Sequence, residues 1–205
     1  MVTGYFGLPG SGKTTFLTRI AQKELKFIEK GKSPYSHILT NFYCRGCEKV
    51  DYRELGNYEI SNSLILLDEI TLDADSRNFK QFDNAHKEFF LLHRHYNCDV
   101  IYFTQQYDGV DKKIRDITSN LYFVRKLGIF SIATKIFRTL DINELSKDIV
   151  QGYRFANIFE RFQKNVVQIC FRPKWYKFFD SWEKPAEKDP FQYQPWKETD
   201  NNAET

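Results

Sequence analysis

The residues with the clearest chemical role form one short segment near the amino terminus, Gly7-Leu8-Pro9-Gly10-Ser11-Gly12-Lys13-Thr14. The segment matches G-x-x-x-x-G-K-[ST] in full, with strand-like residues before it and helical spacing after it, as the motif requires. Its glycines let successive backbone N–H groups face a phosphate, and the helix amino terminus adds partial positive charge. We predict a phosphate-binding loop whose nucleotide contacts come from Gly7, Pro9, Gly10, Ser11, Gly12, Lys13, Thr14 and Thr15.

Two side chains of this loop have separate predicted roles. Lys13 is expected to reach the β and γ phosphates of ATP and to act in catalysis, and the Thr14 hydroxyl is expected to hold Mg²⁺. The alternative is a chance match in an ordinary turn. The flanking strand and helix make that alternative the poorer one.

A carboxylate pair, Asp68–Glu69, is the second group with an evident role. The apolar run from Leu64 to Leu67 predicts a buried strand that ends where α/β sheets bind ligands. Asp68 is predicted to hold Mg²⁺ through water and Glu69 to polarise an attacking water, although an ordinary solvated acid remains the alternative for Glu69. Kinases that transfer phosphoryl groups to an acceptor exclude water and have no use for such a glutamate, so hydrolysis is favoured.

Three further kinds of residue are candidates for the same chemistry. Gln105 follows a predicted strand and is expected beside Asp68, where it orients the water or senses the γ-phosphate, or merely closes the strand. Arg115 and Arg94 are candidates for an arginine that acts on a neighbouring subunit's phosphate, with Arg77 third. For each arginine the alternative is an ordinary surface position, and the helix that carries Arg115 is expected beyond the sheet edge.

A candidate metal site is the Cys44-Arg-Gly-Cys47 segment, whose spacing is that of half a zinc site. His37 and Cys98 are the remaining conceivable ligands. Two ordinary loop cysteines are the alternative.

The elements that position these residues alternate between strand and helix. Strand-like segments lie at residues 2–6, 36–41, 64–67, 99–104 and 121–124, and helical spacing at residues 13–29, 83–96 and 110–117. This alternation predicts a three-layer α/β fold with a mainly parallel five-stranded sheet. Together with the phosphate loop it resembles the P-loop NTPase class, and we expect the additional-strand, RecA-like type.

The remainder of the chain predicts an extension and a tail. Segments 131–139 and 166–172 are β-like, whereas 144–163 has helical character, so a small β-rich extension at 126–181 is expected to follow a core at 1–125. Residues 182–205 are polar and interrupted by prolines, which predicts a largely disordered tail.

Composition limits the classes of protein that fit. With 205 residues and 41% hydrophobic residues, the chain suits one main domain. It has no run near the ~18 apolar residues of a membrane span. The absence of a signal peptide and the four cysteines favour a reducing cytoplasm.

Charge is unevenly distributed along the chain. Residues 1–108 carry 13 Lys and Arg against 14 Asp and Glu, residues 109–179 carry 14 against 6, and residues from 180 onward carry 3 against 7. The basic region indicates a polyanion or an acidic partner, and a merely solvated, charge-rich surface is the alternative.

The chain resembles the zonular occludens toxin family, P-loop ATPases related to filamentous-phage assembly proteins. The resemblance covers roughly residues 1–181. It is carried by the phosphate loop, by Asp68–Glu69, and by three blocks: His93-Arg-His-Tyr-Asn-Cys-Asp-Val-Ile-Tyr-Phe-Thr-Gln105, Val110-Asp-Lys-Lys-Ile-Arg115 and Arg172-Pro-Lys-Trp-Tyr-Lys-Phe-Phe-Asp-Ser181.

The resemblance implies an ATP- and Mg²⁺-dependent motor that powers virion assembly and extrusion or DNA packaging. It implies a homo-oligomer, a hexamer among the candidates, with single-stranded DNA or phage capsid and assembly proteins as partners. It places the protein in the host bacterial cytoplasm, and at the inner membrane only through a partner or a missing span. The alternative function is an ATP-switched interaction module that binds assembly partners without moving DNA.

Overall fold

The structure of the protein is a computed structural model that describes residues 1–52, 55–57, 59–70, 84–142 and 149–179. The tail expected at residues 182–205 and the third arginine candidate, Arg77, lie outside the described residues.

One mixed sheet organises the described chain. Its nine strands are β1 Val2–Phe6, β2 His37–Thr40, β3 Glu48–Lys49, β4 Ser63–Leu67, β5 Asp99–Thr104, β6 Thr118–Leu127, β7 Phe130–Ile142, β8 Ile149–Phe155 and β9 Val167–Phe171. The spatial order is β3-β2-β4-β5-β1-β6-β7-β8, and β9 pairs with β7. The first six strands in this order are parallel, whereas β7, β8 and β9 pair antiparallel.

The described residues include three α-helices beside the sheet: α1 Lys13–Glu29, α2 Asn84–Leu92 and α3 Lys112–Ile117. Short 3-10 helices lie at Tyr107–Gly109, Glu160–Phe162 and Arg172–Phe178. Within the ranges that the structure describes, no helix combines the length and the apolar character needed to cross a bilayer.

Two apolar layers sandwich the parallel strands. On one face, α1 packs through Phe16, Leu17 and Ala21 against strand residues that include Tyr5 and Phe103. On the opposite face, residues of α2 and α3 pack against other strand residues, with Phe89, Phe90, Ile114, Val100 and Tyr102 in the same cluster. The predicted three-layer P-loop fold is therefore confirmed.

The structure adds to and corrects the predicted elements. The five predicted strands are present, and β3 is an additional two-residue edge strand. The helix predicted within residues 144–163 is wrong, because β8 and a 3-10 turn at Glu160–Phe162 occupy the described part of that segment. The pairing of β8 with β7 is a long-range contact that local helical spacing cannot reveal.

The C-terminal strands continue the core sheet. Leu121 to Leu127 of β6 pairs in unbroken register with Phe130 to Ile136 of β7. A tight turn at Gly128, whose φ is +56°, joins the two strands. The region expected as an extension at 126–181 therefore shares hydrogen bonds with the nucleotide-binding half.

Candidate active site

The phosphate loop connects the end of β1 to the start of α1. Gly10 and Gly12 have φ values of +73° and +85°, which residues with a Cβ rarely adopt. The Ser11 N–H donates to the Leu8 carbonyl at 3.1 Å, which closes the turn. The 17-residue helix α1 begins at Lys13, so its amino terminus faces the loop and contributes partial positive charge.

The Lys13 ammonium lies beneath the loop. It donates hydrogen bonds to the carbonyl oxygens of Gly7 at 3.0 Å and Leu8 at 3.3 Å, and the residue is 8% exposed. Burial lowers the pKa of Lys13, and the nearby Asp68 and Glu69 carboxylates oppose that shift. The Lys13 cation is thus held at the loop, with two carboxylates close enough to affect its pKa.

Thr14 and Asp68 meet directly. The Thr14 hydroxyl donates a hydrogen bond to Oδ2 of Asp68, and burial raises the pKa of the Asp68 carboxyl. A hydroxyl beside a carboxylate is the oxygen donor set that Mg²⁺ prefers, so the residues present fit this ion.

Asn41 fixes the backbone of Asp68 from the neighbouring strand. Its side-chain oxygen accepts from the Asp68 N–H at 2.7 Å, and its side-chain nitrogen donates to the Asp68 carbonyl at 2.8 Å. Asn41 is not among the site residues predicted from the sequence. The available signal was its position directly after β2, at the same sheet edge as Asp68.

Glu69 lies at the end of β4 in a left-handed conformation, with φ of +52°. Its Oε1 accepts a hydrogen bond of 3.3 Å from the backbone N–H of Gln105. The two residues meet because β5 lies next to β4 in the sheet. Gln105 is therefore located beside the carboxylate pair, as the strand count predicts.

The loop also offers a buried polar atom. Ser11 Oγ is buried, and among the residues that the structure describes none forms a hydrogen bond with it. Together with the positive-φ glycines, Lys13 and the Thr14–Asp68 pair, this atom fits a site for a nucleotide polyphosphate with Mg²⁺.

Arg115 is anchored within its own chain. Its Nη1 donates to Asp108 Oδ1 at 3.0 Å, and its guanidinium carbon lies 5.6 Å from the centre of the Tyr107 ring. The expectation that its helix lies beyond the sheet edge is wrong, because α3 packs on the sheet face and Ile114 is only 2% exposed.

Arg94 lies away from the phosphate loop of its own chain. It precedes β5, and its carbonyl accepts from the Asn97 N–H at 3.1 Å. Strand β5 then runs from Asp99 to Thr104, so Arg94 is near the amino end of the strand and the loop is near the carboxyl end. Action on the same chain's phosphate is excluded by this separation of roughly 20 Å.

The candidate zinc ligands do not converge. Cys44 and Cys47 are both buried, His37 pairs with Glu48 at 2.7 Å, and Cys98 contacts the Ile60 carbonyl at 3.6 Å. Across the described part of the chain, no group of three or more potential ligands is positioned to hold a metal.

Two residues from the C-terminal half contact the phosphate loop, and neither is among the site residues predicted from the sequence. The Ser131 hydroxyl donates to the Ser11 carbonyl at 2.6 Å, and a Cβ placed on Gly12 would lie 2.8 Å from Cδ of Arg172. No local pattern connects residues this far apart in the chain, because only the pairing of β6, β7 and β9 brings them together.

The chain is similar to known proteins in family and in fold. A family model described as Zonular occludens toxin (Zot) matches residues 45–156. The N-terminal domain of zonular occludens toxin from Neisseria meningitidis has a similar structure, with a TM-score of 0.50 and 13% identity over 88% of this chain and 100% of that chain. This likeness supports the fold. No curated protein sequence matches the chain.

Proteins with lower structural similarity include the following two. The genome packaging NTPase B204 from Sulfolobus turreted icosahedral virus 2, in complex with ATP-gammaS, gives a TM-score of 0.40 at 10% identity, covering 73% of this chain and 95% of that chain. The flagellar accessory protein FlaH from Methanocaldococcus jannaschii gives 0.42 at 11% identity, covering 65% and 76%.

Proposed function

We propose that this chain, which belongs to the zonular occludens toxin family, couples Mg²⁺-dependent ATP hydrolysis to phage virion assembly, extrusion or DNA packaging. One observation carries the proposal: the phosphate loop and the carboxylate pair meet through the Thr14–Asp68 hydrogen bond. Glu69 follows Asp68 directly and contacts the Gln105 backbone. This position supports hydrolysis of the nucleotide rather than nucleotide binding alone.

Each residue of the site has a role in this proposal. The Lys13 ammonium and the loop N–H groups bind the β and γ phosphates. Thr14 and Asp68 would hold Mg²⁺, and the bound ion would neutralise charge on the transferring phosphoryl group. Glu69 accepts a hydrogen bond from the attacking water and orients it, and Gln105 lies where it can share that task.

The assembly and its partners form the next part of the proposal. We propose a homo-oligomer, with a hexamer as one candidate, in the bacterial cytoplasm or at the inner membrane. Exposed cations in the C-terminal strands, including Arg125 and Lys126 of β6, support single-stranded DNA as a ligand. An inner-membrane location requires a partner protein or a further segment.

A second candidate function has its own support. In the turn segment between β8 and β9, the solvent-exposed fractions of Ile158, Phe159 and Phe162 are 71%, 88% and 86%. Exposed apolar clusters of this kind typically mark protein contacts. An ATP-switched interaction module that binds capsid or assembly proteins through this turn is therefore the alternative to a DNA motor.

The test is ATP turnover by the purified full chain with Mg²⁺. Lys13→Ala should lose nucleotide binding and turnover, because it removes the cation beneath the loop. Lys23→Ala, at an exposed position of the same helix, is the matched control and should behave as wild type. Stimulation by single-stranded DNA favours the motor, whereas stimulation only by a partner protein favours the module. Unchanged turnover in Lys13→Ala would reject the proposal.

A further inference from the structure

A buried hydroxyl from the antiparallel strand β7 reaches the phosphate loop. Ser131 Oγ donates a hydrogen bond of 2.6 Å to the carbonyl oxygen of Ser11, and Ser131 is 0% exposed. The backbone around Ser131 is paired on both sides, with Lys126 of β6 and Cys170 of β9. The donor is therefore held by the sheet, which is stiffer than a loop.

The carbonyl that Ser131 binds belongs to the peptide unit between Ser11 and Gly12. In a planar trans peptide, the C=O and N–H bonds point in opposite directions. A carbonyl held against β7 therefore directs the Gly12 N–H away from β7. Among the residues that the structure describes, none accepts a hydrogen bond from this N–H. It is thus available to a phosphate oxygen, the usual partner of N–H groups in such a loop.

Arg172 packs against the same peptide unit. A Cβ on Gly12 would lie 2.3 Å from Ser131 Oγ and 2.8 Å from Arg172 Cδ, so both side chains touch this glycine closely. The Arg172 guanidinium donates to the Gly128 carbonyl at 2.6 Å, and its backbone N–H donates to the Ile129 carbonyl at 3.1 Å. Arg172 is thereby tied to the β6–β7 turn while its alkyl chain limits movement of Gly12.

We propose that Ser131 and Arg172 are positioning residues that hold the Ser11–Gly12 peptide in the orientation that binds a nucleotide diphosphate group. The inference rests on the proposed function, because it requires a nucleotide in the loop. Because this peptide is already oriented in the free protein, less binding free energy is lost in ordering it when the nucleotide binds. The C-terminal strands are then part of the nucleotide site, and nucleotide binding is linked to the position of those strands.

The test measures ADP and pyrophosphate binding by calorimetry, together with steady-state turnover. Ser131→Ala should raise the dissociation constants of ADP and pyrophosphate about three- to tenfold, which is the usual effect of losing one hydrogen bond. KM should rise more than kcat falls, because the bond acts before the chemical step. Arg172→Ala should also weaken binding, and Arg172→Lys should retain most of it, since lysine keeps an alkyl chain over Gly12 and a donor for Gly128.

Controls separate positioning from general loosening of the fold. Thr134→Val removes another buried hydroxyl of β7, at a residue 6% exposed, and should leave ADP affinity unchanged. Wild-type affinity in Ser131→Ala, when Lys13→Ala has lost binding, would overturn the positioning role and leave the proposed function standing. Equal weakening in Ser131→Ala and Thr134→Val would overturn it as well. Unchanged binding in Lys13→Ala would overturn both.

Amide NMR supplies a readout that loss of stability does not mimic. In the wild type, ADP should shift the Gly12 amide proton downfield as this N–H gains a phosphate acceptor. In Ser131→Ala, the shift at saturating ADP should be smaller, because the peptide is no longer held in that orientation. An identical Gly12 shift in both proteins would contradict the inference.

Discussion

The backbone N–H of Gln105, at the end of β5, donates a hydrogen bond of 3.3 Å to Oε1 of Glu69, at the end of β4. The contact crosses between neighbouring parallel strands at their carboxyl edge. Glu69 is therefore held by the backbone of the next strand, beside the Asp68 carboxylate that contacts Thr14. This geometry separates the roles of the two carboxylates, and each role can be tested alone.

Glu69→Gln should bind ATP normally and lose turnover by about 10²-fold or more, because the amide accepts the Gln105 hydrogen bond but is a poor base for water. Mg²⁺ binding through Asp68 and Thr14 survives. Nucleotide affinity by calorimetry and phosphate release measure the two effects. Glu59→Gln, at an exposed position, is the control. Loss of ATP binding together with turnover would show that the two carboxylates are assigned the wrong way round.

Arg115→Ala should retain ATP affinity and lose turnover by ~10³-fold if this arginine acts on a neighbouring subunit's phosphate. The ion pair with Asp108 would have to open at the subunit contact. Mixing Arg115→Ala with Lys13→Ala should then restore some activity, where an intact loop meets an intact arginine.

Arg94→Ala is the comparison for this experiment. Normal hydrolysis by Arg115→Ala, with loss in Arg94→Ala, would move the role to Arg94. If both variants hydrolyse ATP normally, action in trans by these arginines is wrong.

Gly12→Ala should abolish ADP binding and destabilise the fold. The added Cβ meets Ser131 Oγ at 2.3 Å, at a backbone φ of +85°. Strain at such a position costs about 1–3 kcal/mol before the steric clash is added. Gly31→Ala is the matched control, because its φ is +62° and no atom of the described residues lies within 4 Å of the added Cβ. Urea denaturation and ADP calorimetry compare the two, and equal destabilisation would mean that close approach adds nothing at Gly12.

Single-stranded DNA binding should weaken steeply with salt if the basic C-terminal strands contact phosphates. The affinity should fall by orders of magnitude between about 50 and 200 mM salt when several phosphates are neutralised. Replacing Arg125 and Lys126 with alanine should reduce the slope of log affinity against log salt by about two, whereas Lys30→Ala, at the C-terminal cap of α1, should not change it. Fluorescence anisotropy with a labelled oligonucleotide measures this. Undetectable binding at low salt would favour a protein partner.

Glu160 should contribute to stability above about pH 4.5 and lose that contribution in acid. The Arg154 guanidinium, at 2.7 Å, and the Asn157 N–H hold the pKa of Glu160 at about 2, below its ordinary value of 4.5. The depressed pKa means that the unfolded state binds a proton more readily, so the contribution disappears as pH falls through about 2.

Comparison of wild type with Glu160→Gln tests this pH dependence. The difference in free energy of unfolding should shrink as pH is lowered from about 5 toward 2. NMR titration of the Glu160 carboxyl gives its pKa directly. A midpoint at the ordinary value would contradict the Arg154 contact.

Much of the nucleotide site could be predicted because its parts are local. The loop from Gly7 to Thr14 works through the backbone conformation of consecutive residues, so its composition identifies it. Asp68 and Glu69 follow an apolar run that marks a buried strand. Parallel strands share one carboxyl edge, so the meeting of these groups follows from fold class alone.

Other features were decided only by the tertiary structure. Local spacing suggested helix where β8 forms, because a strand's stability comes from its partner, here β7, and not from its own residues. The ion pair of Arg115 with Asp108 depends on how α3 packs on the sheet. Ser131 and Arg172 meet Gly12 because β7 pairs antiparallel with β6 and β9. The hydrogen bond from Ser131 to Ser11 joins residues more than a hundred positions apart. Such contacts leave no periodicity in the chain.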